Sequence, residues 1–249
     1  MKIYNKEKFL KLPDLFLFDT DNTLYPYDPS HLSAQKAVRE KIISTFSINP
    51  EDFDNAYKEA RKQIKVQLGN TASSHSRLLY LQRLLEIMGL GSQALMALDF
   101  EQTYWRTFLS NATLFDDAKE LLDDIRLLGI PTVMVTDLTA QIQFRKVIYF
   151  GLERYFDYIV TSEEAGFDKP HEAQFKLAME KTQPKGNTVW MIGDNSLNDI
   201  KGARDALDAS TIQKIHEGTS VGVNDEQPDA SFNNFIDLRN FIALLAKSN

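Results

Sequence analysis

The stretch Leu15-Phe16-Leu17-Phe18-Asp19-Thr20-Asp21-Asn22-Thr23-Leu24-Tyr25 joins four consecutive apolar residues to two aspartates one residue apart. An uninterrupted apolar run of this kind fits a strand buried on both faces, as in the parallel sheets of α/β proteins. The aspartates then fall at the carboxyl end of the strand, the edge at which open α/β sheets bind ligands. Two carboxylates about 4 Å apart repel by roughly 4 kcal/mol at an effective dielectric near 20, so a fold that gathers them needs a metal ion, a lysine or a trapped proton beside them. Taken alone, Asp-x-Asp is also ordinary turn and cap chemistry, and the rest of the chain decides between the two.

From Leu114 onward, strand and helix patterns alternate. A helix from Asp116 to Leu128 stops at Gly129, Thr132 to Val135 reads as a strand, and Thr139 to Phe150 reads as a helix closed by Gly151. Tyr158 to Val160, Thr188 to Ile192 and Thr211 to Ile215 give further strands, with helices after Pro170, from Leu197 and from Asp237. Repeated βα units imply a parallel sheet with helices on both faces, and the strand at Leu15 belongs to it.

Between Ser30 and Ser110 the pattern is helical throughout. Val38, Ile42 and Phe46 form one stripe, and Asn49-Pro50-Glu51-Asp52 is a helix start followed by Phe53, Tyr57, Ala60, Ile64 and Leu68. A third helix spans Ser76 to Met88, and a fourth follows Ser92 with Leu95, Leu98 and Trp105. The expected architecture is a Rossmann-like α/β core of residues 1–25 and 112–249 with an inserted all-helical cap, residues 26–111, formed as a compact bundle that sits over the site as a lid.

Whole-chain numbers narrow the chemistry. The 249 residues suffice for one large domain or a core plus a smaller unit. The absence of cysteine removes disulfides, thiolate catalysis and thiolate metal sites, leaving oxygen and imidazole donors, and fits a reducing, cytoplasmic compartment. A net charge of -7 without a dense basic run argues against binding nucleic acid polymers. No apolar stretch approaches a membrane span, so a soluble protein is expected.

Three later strand ends carry polar residues suited to an anionic ligand: Thr136-Asp137, Lys169-Pro170, and Gly193-Asp194 followed by Asp199. Each has a plain reading as strand end, helix start or turn. Together they converge on one crevice of a parallel sheet. The ordered set Asp19-Thr20-Asp21-Asn22-Thr23, Thr136, Lys169-Pro170 and Gly193-Asp194 with Asp199 resembles the four motifs of the haloacid dehalogenase-like hydrolase superfamily, and the helical insertion resembles its subfamily I cap. The run from Asp19 to Tyr25 is similar to that of pyrimidine 5'-nucleotidase-like members.

The resemblance implies a phosphatase. Asp19 would attack phosphorus to give an aspartyl-phosphate, and Asp21 would protonate the leaving alkoxide and later deprotonate the hydrolytic water. Mg²⁺ would be held by the Asp19 and Asp194 carboxylates and the Asp21 carbonyl, with Asp199 orienting its waters from the second shell. Lys169 would neutralise Asp19 and the phosphate, and Thr136 would donate to a phosphoryl oxygen. Dehalogenases of this fold replace the second aspartate, so Asp21 favours phosphate transfer. Asp137 stands where Asn or Gly is more usual; it hydrogen-bonds through its backbone, binds a substrate hydroxyl or faces away.

The expected substrate is a small phosphorylated metabolite, with a nucleoside monophosphate as the first class to test. A sugar phosphomutase and a non-catalytic, receiver-like phosphate sensor are the alternatives. Substrate choice belongs to the cap, where His75 and Arg77 read as a helix start, with contact to a sugar or an anionic group as the competing reading. Tyr104 and Trp105 read as core rather than as a stacking platform, and Tyr25 is better placed than either.

Overall fold

The computed structural model describes residues 1–248. In chain order the elements are β1 (Lys2–Ile3), β2 (Leu15–Phe18), α1 (Tyr27–Phe46), α2 (Pro50–Leu68), α3 (Arg77–Ile87), α4 (Ala94–Ser110), α5 (Ala118–Leu127), β3 (Thr132–Thr136), α6 (Ala140–Phe150), β4 (Tyr158–Thr161), α7 (Ser162–Ala165), α8 (Ala173–Thr182), β5 (Val189–Gly193), α9 (Gly202–Leu207), β6 (Ser210–Lys214), β7 (Ala230–Phe232) and α10 (Phe235–Ser248). The chain forms two compact units, Met1–Pro26 with Thr113–Asn249, and Tyr27–Ala112.

The first unit is built on a 7-stranded sheet in the order β1-β7-β6-β5-β2-β3-β4. Every pairing is parallel except β1 with β7. All four residues of β2 are buried, as its apolar run requires of a central parallel strand. Burying each such side chain contributes about 1.5–3 kcal/mol relative to exposure. Leu15 and Leu17 pack with Val133, Val135, Val189 and Met191 in the main core cluster. On the opposite face of β2, Phe16 meets Trp190 edge-on at 5.6 Å.

Register fixes what the sheet presents at its edge. Phe18 stands opposite Met134 of β3 and Ile192 of β5. The carboxyl ends of β3, β2 and β5 are therefore adjacent, with Asp19 between Thr136 and Gly193-Asp194. The order also reverses at β2, with β3 on one side and β5 on the other, which is a topological switch point.

Strands β1 and β7 are additions to the expected elements. Runs of two and three residues carry no periodicity to detect, and β1 exists only as the antiparallel partner of β7.

The second unit is helical. Helix α1 packs on α4, α2 on α3, and α3 on α4. Asn49 caps α2 by accepting from Glu51 N at 2.9 Å, with Pro50 at the first helical position. Ser76 caps α3 by accepting from Leu79 N at 3.3 Å. Tyr104 and Trp105 are buried in the aromatic interior of this unit, beside Phe108. Among the described residues no helix is long and apolar enough to cross a membrane.

Candidate active site

Asp19 leaves β2 with its amide still bonded to Ile192 O of β5 at 2.9 Å, so its position is set by the sheet. The chain then turns tightly: Thr23 and Leu24 amides both return to Thr20 O, with Asn22 at a φ of 63°. That left-handed conformation suits asparagine better than most residues. The turn brings the Thr23 hydroxyl back onto Asp19 Oδ2 at 2.9 Å.

Lys169 is the hub. Its buried Nζ donates to Asp19 Oδ1 at 2.7 Å, Asp199 Oδ1 at 2.7 Å and Val135 O at 2.9 Å, using all three ammonium hydrogens. Burial alone would lower the proton affinity of this amine, but Asp19 and Asp199 outweigh it and hold the lysine charged well above its ordinary range. Asp19 is pushed up to about 6, chiefly by burial, with Lys169 opposing and Asp199 adding to the rise.

Asp199 uses its other oxygen to accept from Asn195 N at 3.0 Å. Asn195 in turn caps the wide helical turn Ser196–Lys201 by accepting from Leu197 N and Asn198 N. Glycine is required at 193 because a Cβ there would lie 2.5 Å from the Cβ and carboxyl of Asp199. The Gly-Asp pair at this strand end thus serves close packing as well as charge.

Asp194, next after β5, faces a different environment. Burial first, then Asp19 and Asp199, push its carboxyl up to about 9. Among the described residues no lysine or arginine pairs with it; His216 Nε2 lies 3.3 Å from its Oδ2. Oxygens of Asp19, Asp194 and Asp199 lie within 4.8 Å of one another, a grouping able to hold a metal ion. The donor set is all oxygen, which suits a hard cation such as Mg²⁺, and a divalent ion would relieve the repulsion that Lys169 leaves at Asp194.

Asp21 is held from another direction. Lys146 of α6 reaches both carboxylate oxygens, at 2.8 and 3.0 Å, and the Tyr25 hydroxyl donates to Oδ1. Burial would raise the Asp21 carboxyl, but Lys146, Tyr25 and Thr20 outweigh it and the net shift is downward. Asp21 is thereby ionised at neutral pH. Lys146 is buried, and its ammonium also lies 5.7 Å from the Tyr25 ring.

Thr136 and Asp137 separate in role. The Thr136 hydroxyl pairs with the Thr20 hydroxyl at 2.8 Å and accepts from Gln143 Nε2 at 2.8 Å. Asp137 Oδ1 accepts from the Lys169 amide at 2.9 Å and from Gln174 Nε2 at 2.6 Å, so this carboxylate oxygen anchors the segment that carries the lysine. Of the three readings left open for Asp137, the side-chain contacts fit a carboxylate turned toward the Lys169 segment.

The sheet edge brings Asp19, Thr136, Lys169, Asp194 and Asp199 together, with Asp21 in the adjoining turn. The sequence did not mark Lys146, Gln143 or His216. Lys146 and Gln143 stand inside an amphipathic helix, where a polar residue reads as a solvated face. His216 follows β6, a strand end that carried no motif.

The match to known proteins agrees with this geometry. Residues 13–206 match the family model described as haloacid dehalogenase-like hydrolase. The chain is 32% identical over 234 residues to ribulose-1,5-bisphosphate 5-phosphatase of Halopiger xanaduensis, covering 91% of this chain and 98% of the relative. It is 25% identical over 232 residues to glyceraldehyde 3-phosphate phosphatase of Methanocaldococcus jannaschii, covering 93% and 97%. The crystal structure of 2-haloacid dehalogenase from Pseudomonas syringae shares the fold, with a TM-score of 0.75 at 21% identity over 94% of this chain and 99% of that one.

Proposed function

The chain belongs to the haloacid dehalogenase-like hydrolases, and on that premise we propose that it is a Mg²⁺-dependent phosphomonoesterase acting on a small phosphorylated sugar metabolite. One observation carries the reading: the buried Lys169 ammonium bridging Asp19 and Asp199 at the sheet's carboxyl edge, with Asp194 beside them. A lysine so placed neutralises a nucleophilic carboxylate enough for a phosphate dianion to approach it.

In this mechanism Asp19 Oδ attacks phosphorus, the ester oxygen leaves, and the resulting aspartyl-phosphate is hydrolysed by water. Thr23 and Lys169 fix the orientation of the Asp19 carboxylate through one oxygen each. Asp21 carries the protons, giving one to the leaving oxygen and taking one from the attacking water. Its ion pair with Lys146 favours the ionised form from which the second step starts. The first step starts from protonated Asp21, which takes up a proton from solvent once the dianionic ester has drawn the Lys146 ammonium away from it. Thr136 offers its hydroxyl to a phosphoryl oxygen by exchanging its contact with Thr20.

Asp19, Asp194 and the Asp21 carbonyl would hold Mg²⁺, with Asp199, both of whose oxygens are already engaged, acting on its waters. The ion would supply charge neutralisation on the phosphoryl oxygens.

Relatives named for ribulose 1,5-bisphosphate and glyceraldehyde 3-phosphate make sugar phosphates the first substrate class, ahead of nucleoside monophosphates. A cysteine-free chain is also suited to a reducing cytoplasm. The test is phosphate release from ribulose 1,5-bisphosphate, glyceraldehyde 3-phosphate and p-nitrophenyl phosphate, with Mg²⁺ and after chelation. Release that needs Mg²⁺ is expected; no release from any ester with any divalent metal contradicts the reading. Rearranged sugar phosphate without free phosphate would mark a phosphomutase, and stable labelling of Asp19 without turnover would mark a sensor.

A further inference from the structure

Helix α6 carries two buried polar residues on one side, Gln143 and, three positions on, Lys146. Lys146 is accounted for by Asp21. Gln143 hydrogen-bonds to neither Asp19 nor Asp21; it reaches the strand end that carries Thr136.

What Gln143 faces fixes the orientation of its amide. Nε2 lies 2.7 Å from Asp137 O and 2.8 Å from Thr136 Oγ1. A backbone carbonyl can only accept, so the NH₂ end must face it, and the same group gives its second hydrogen to the Thr136 hydroxyl. Thr136 Oγ1 thereby accepts from Gln143 and keeps its own hydrogen to donate. Thr20 Oγ1, 2.8 Å away, takes that hydrogen, because its own goes to the Asp21 carboxylate at 3.3 Å. The hydrogen bonds run one way, from Gln143 to Thr136 to Thr20 to Asp21, and Lys146 of the same helix holds the far end.

Gln143 also removes a competitor. Asp137 O lies 3.5 Å from Thr136 Oγ1 and would draw the hydroxyl hydrogen toward itself if the amide did not occupy it. The other end of the amide, Oε1, is buried with no hydrogen-bond partner among the described residues. An unsatisfied buried acceptor costs stability, and an apolar side chain of similar shape would avoid it. What the amide adds at this position is its two donors.

We propose that Gln143 is a positioning residue that fixes Thr136 as a hydrogen-bond donor to the phosphoryl group. An arriving phosphoryl oxygen replaces Thr20 as the acceptor, and the hydroxyl need not first turn away from a backbone carbonyl. That the acceptor is a phosphoryl oxygen rests on the phosphatase reading above; the direction of the chain of hydrogen bonds does not.

The test is a double-mutant cycle on the full-length chain with p-nitrophenyl phosphate and Mg²⁺. Gln143→Met, which removes both donors, is expected to lower kcat/KM about tenfold, the worth of one hydrogen bond to a charged group. In Thr136→Val, which has no hydroxyl to orient, the same change is expected to cost less than about twofold. In Thr136→Ser, which keeps the hydroxyl, the full effect is expected to return. The cycle separates the two contacts of Gln143, because the one to Asp137 O does not involve the Thr136 side chain.

An equal loss with and without the Thr136 hydroxyl overturns the proposal and leaves Gln143 a support for the Asp137 backbone. Undiminished kcat/KM in Gln143→Met overturns it too. If Gln143→Met does not fold, Gln143→Asn, which withdraws the amide by one methylene, is read against the same criteria. Calorimetry of inorganic phosphate binding with Mg²⁺ repeats the cycle without turnover, with the same ratios expected in the dissociation constants. If no ester is hydrolysed by the unaltered protein, the phosphatase reading fails while the phosphate cycle still decides this one; phosphate that does not bind the unaltered protein overturns both.

Discussion

At the carboxyl edge of the sheet, Lys169 meets Asp19 and Asp199 at 2.7 Å each; in the helical unit, Arg77 meets the Tyr27 hydroxyl, one carbonyl and three aromatic rings. Lys169 is buried and Arg77 half-buried, and among the described residues only the first pairs with carboxylates. At the sheet edge the chain carries its own compensation, because the acids are needed for chemistry and must be gathered whether or not substrate is present. In the helical unit Arg77 is held by a tyrosine hydroxyl, a carbonyl and aromatic faces instead of by acids.

The largest expected consequence of that contrast concerns stability. Removing one partner of a buried ion pair costs about 3–5 kcal/mol because the other charge is left alone. Lys169→Met, which strands Asp19 and Asp199, is expected to lose stability in that range when metal-free protein is unfolded in urea. A loss under about 1 kcal/mol would mean the acids take up protons at little cost and Lys169 is no hub.

Next in size is the coupling of metal to protons. Asp194 is pushed up to about 9 by burial and by its acidic neighbours, so below that pH the metal-free carboxyl holds a proton. Metal binding must release it, and Mg²⁺ affinity is expected to rise about tenfold per pH unit between 7 and 9. Calorimetry in buffers of different ionisation heat measures the protons released. Affinity independent of pH over that window would remove Asp194 from the ligand set.

The smallest effect falls on the other side of the comparison. Arg77→Met is expected to stay within about 1.5 kcal/mol of the unaltered chain, since this half-buried arginine makes no ion pair among the described residues and the methionine replaces part of its contact with the rings. A loss as large as that at Lys169 would make the two regions alike and sink the contrast.

These two regions also differ in how well the sequence disclosed them. Asp19 and Asp194 stand at strand ends, where an apolar run breaks into a charge and the break is visible in one dimension, while Lys169 lies in the loop between α7 and α8, marked by the proline after it. The doubly wound order follows from the same runs, because a strand buried on both faces has few places to go. Lys146 could not be found this way. It lies mid-helix in Ala-Gln-Ile-Gln-Phe-Arg-Lys-Val-Ile-Tyr-Phe, and what separates it from the exposed Arg145 beside it is a tertiary contact with Asp21. Arg77 was visible as a polar residue at a helix start, and its cap, Ser76, is present. The setting of Arg77 among Tyr27, Tyr80, Tyr104 and Trp105, with no carboxylate beside it among the described residues, is a property of everything packed around it. Strands β1 and β7 escaped for a simpler reason, being shorter than any period that could mark them.

In the proposed reaction Asp19 is the group that takes the phosphoryl. Rapid mixing of the protein with Mg²⁺ and ribulose 1,5-bisphosphate, quenched in acid within a single turnover and followed by peptide mass spectrometry, reads that step alone. Phosphate on the peptide bearing Asp19, absent in Asp19→Asn, is the expected result; product formed with no label on Asp19, or formed at an undiminished rate by Asp19→Asn, would contradict it.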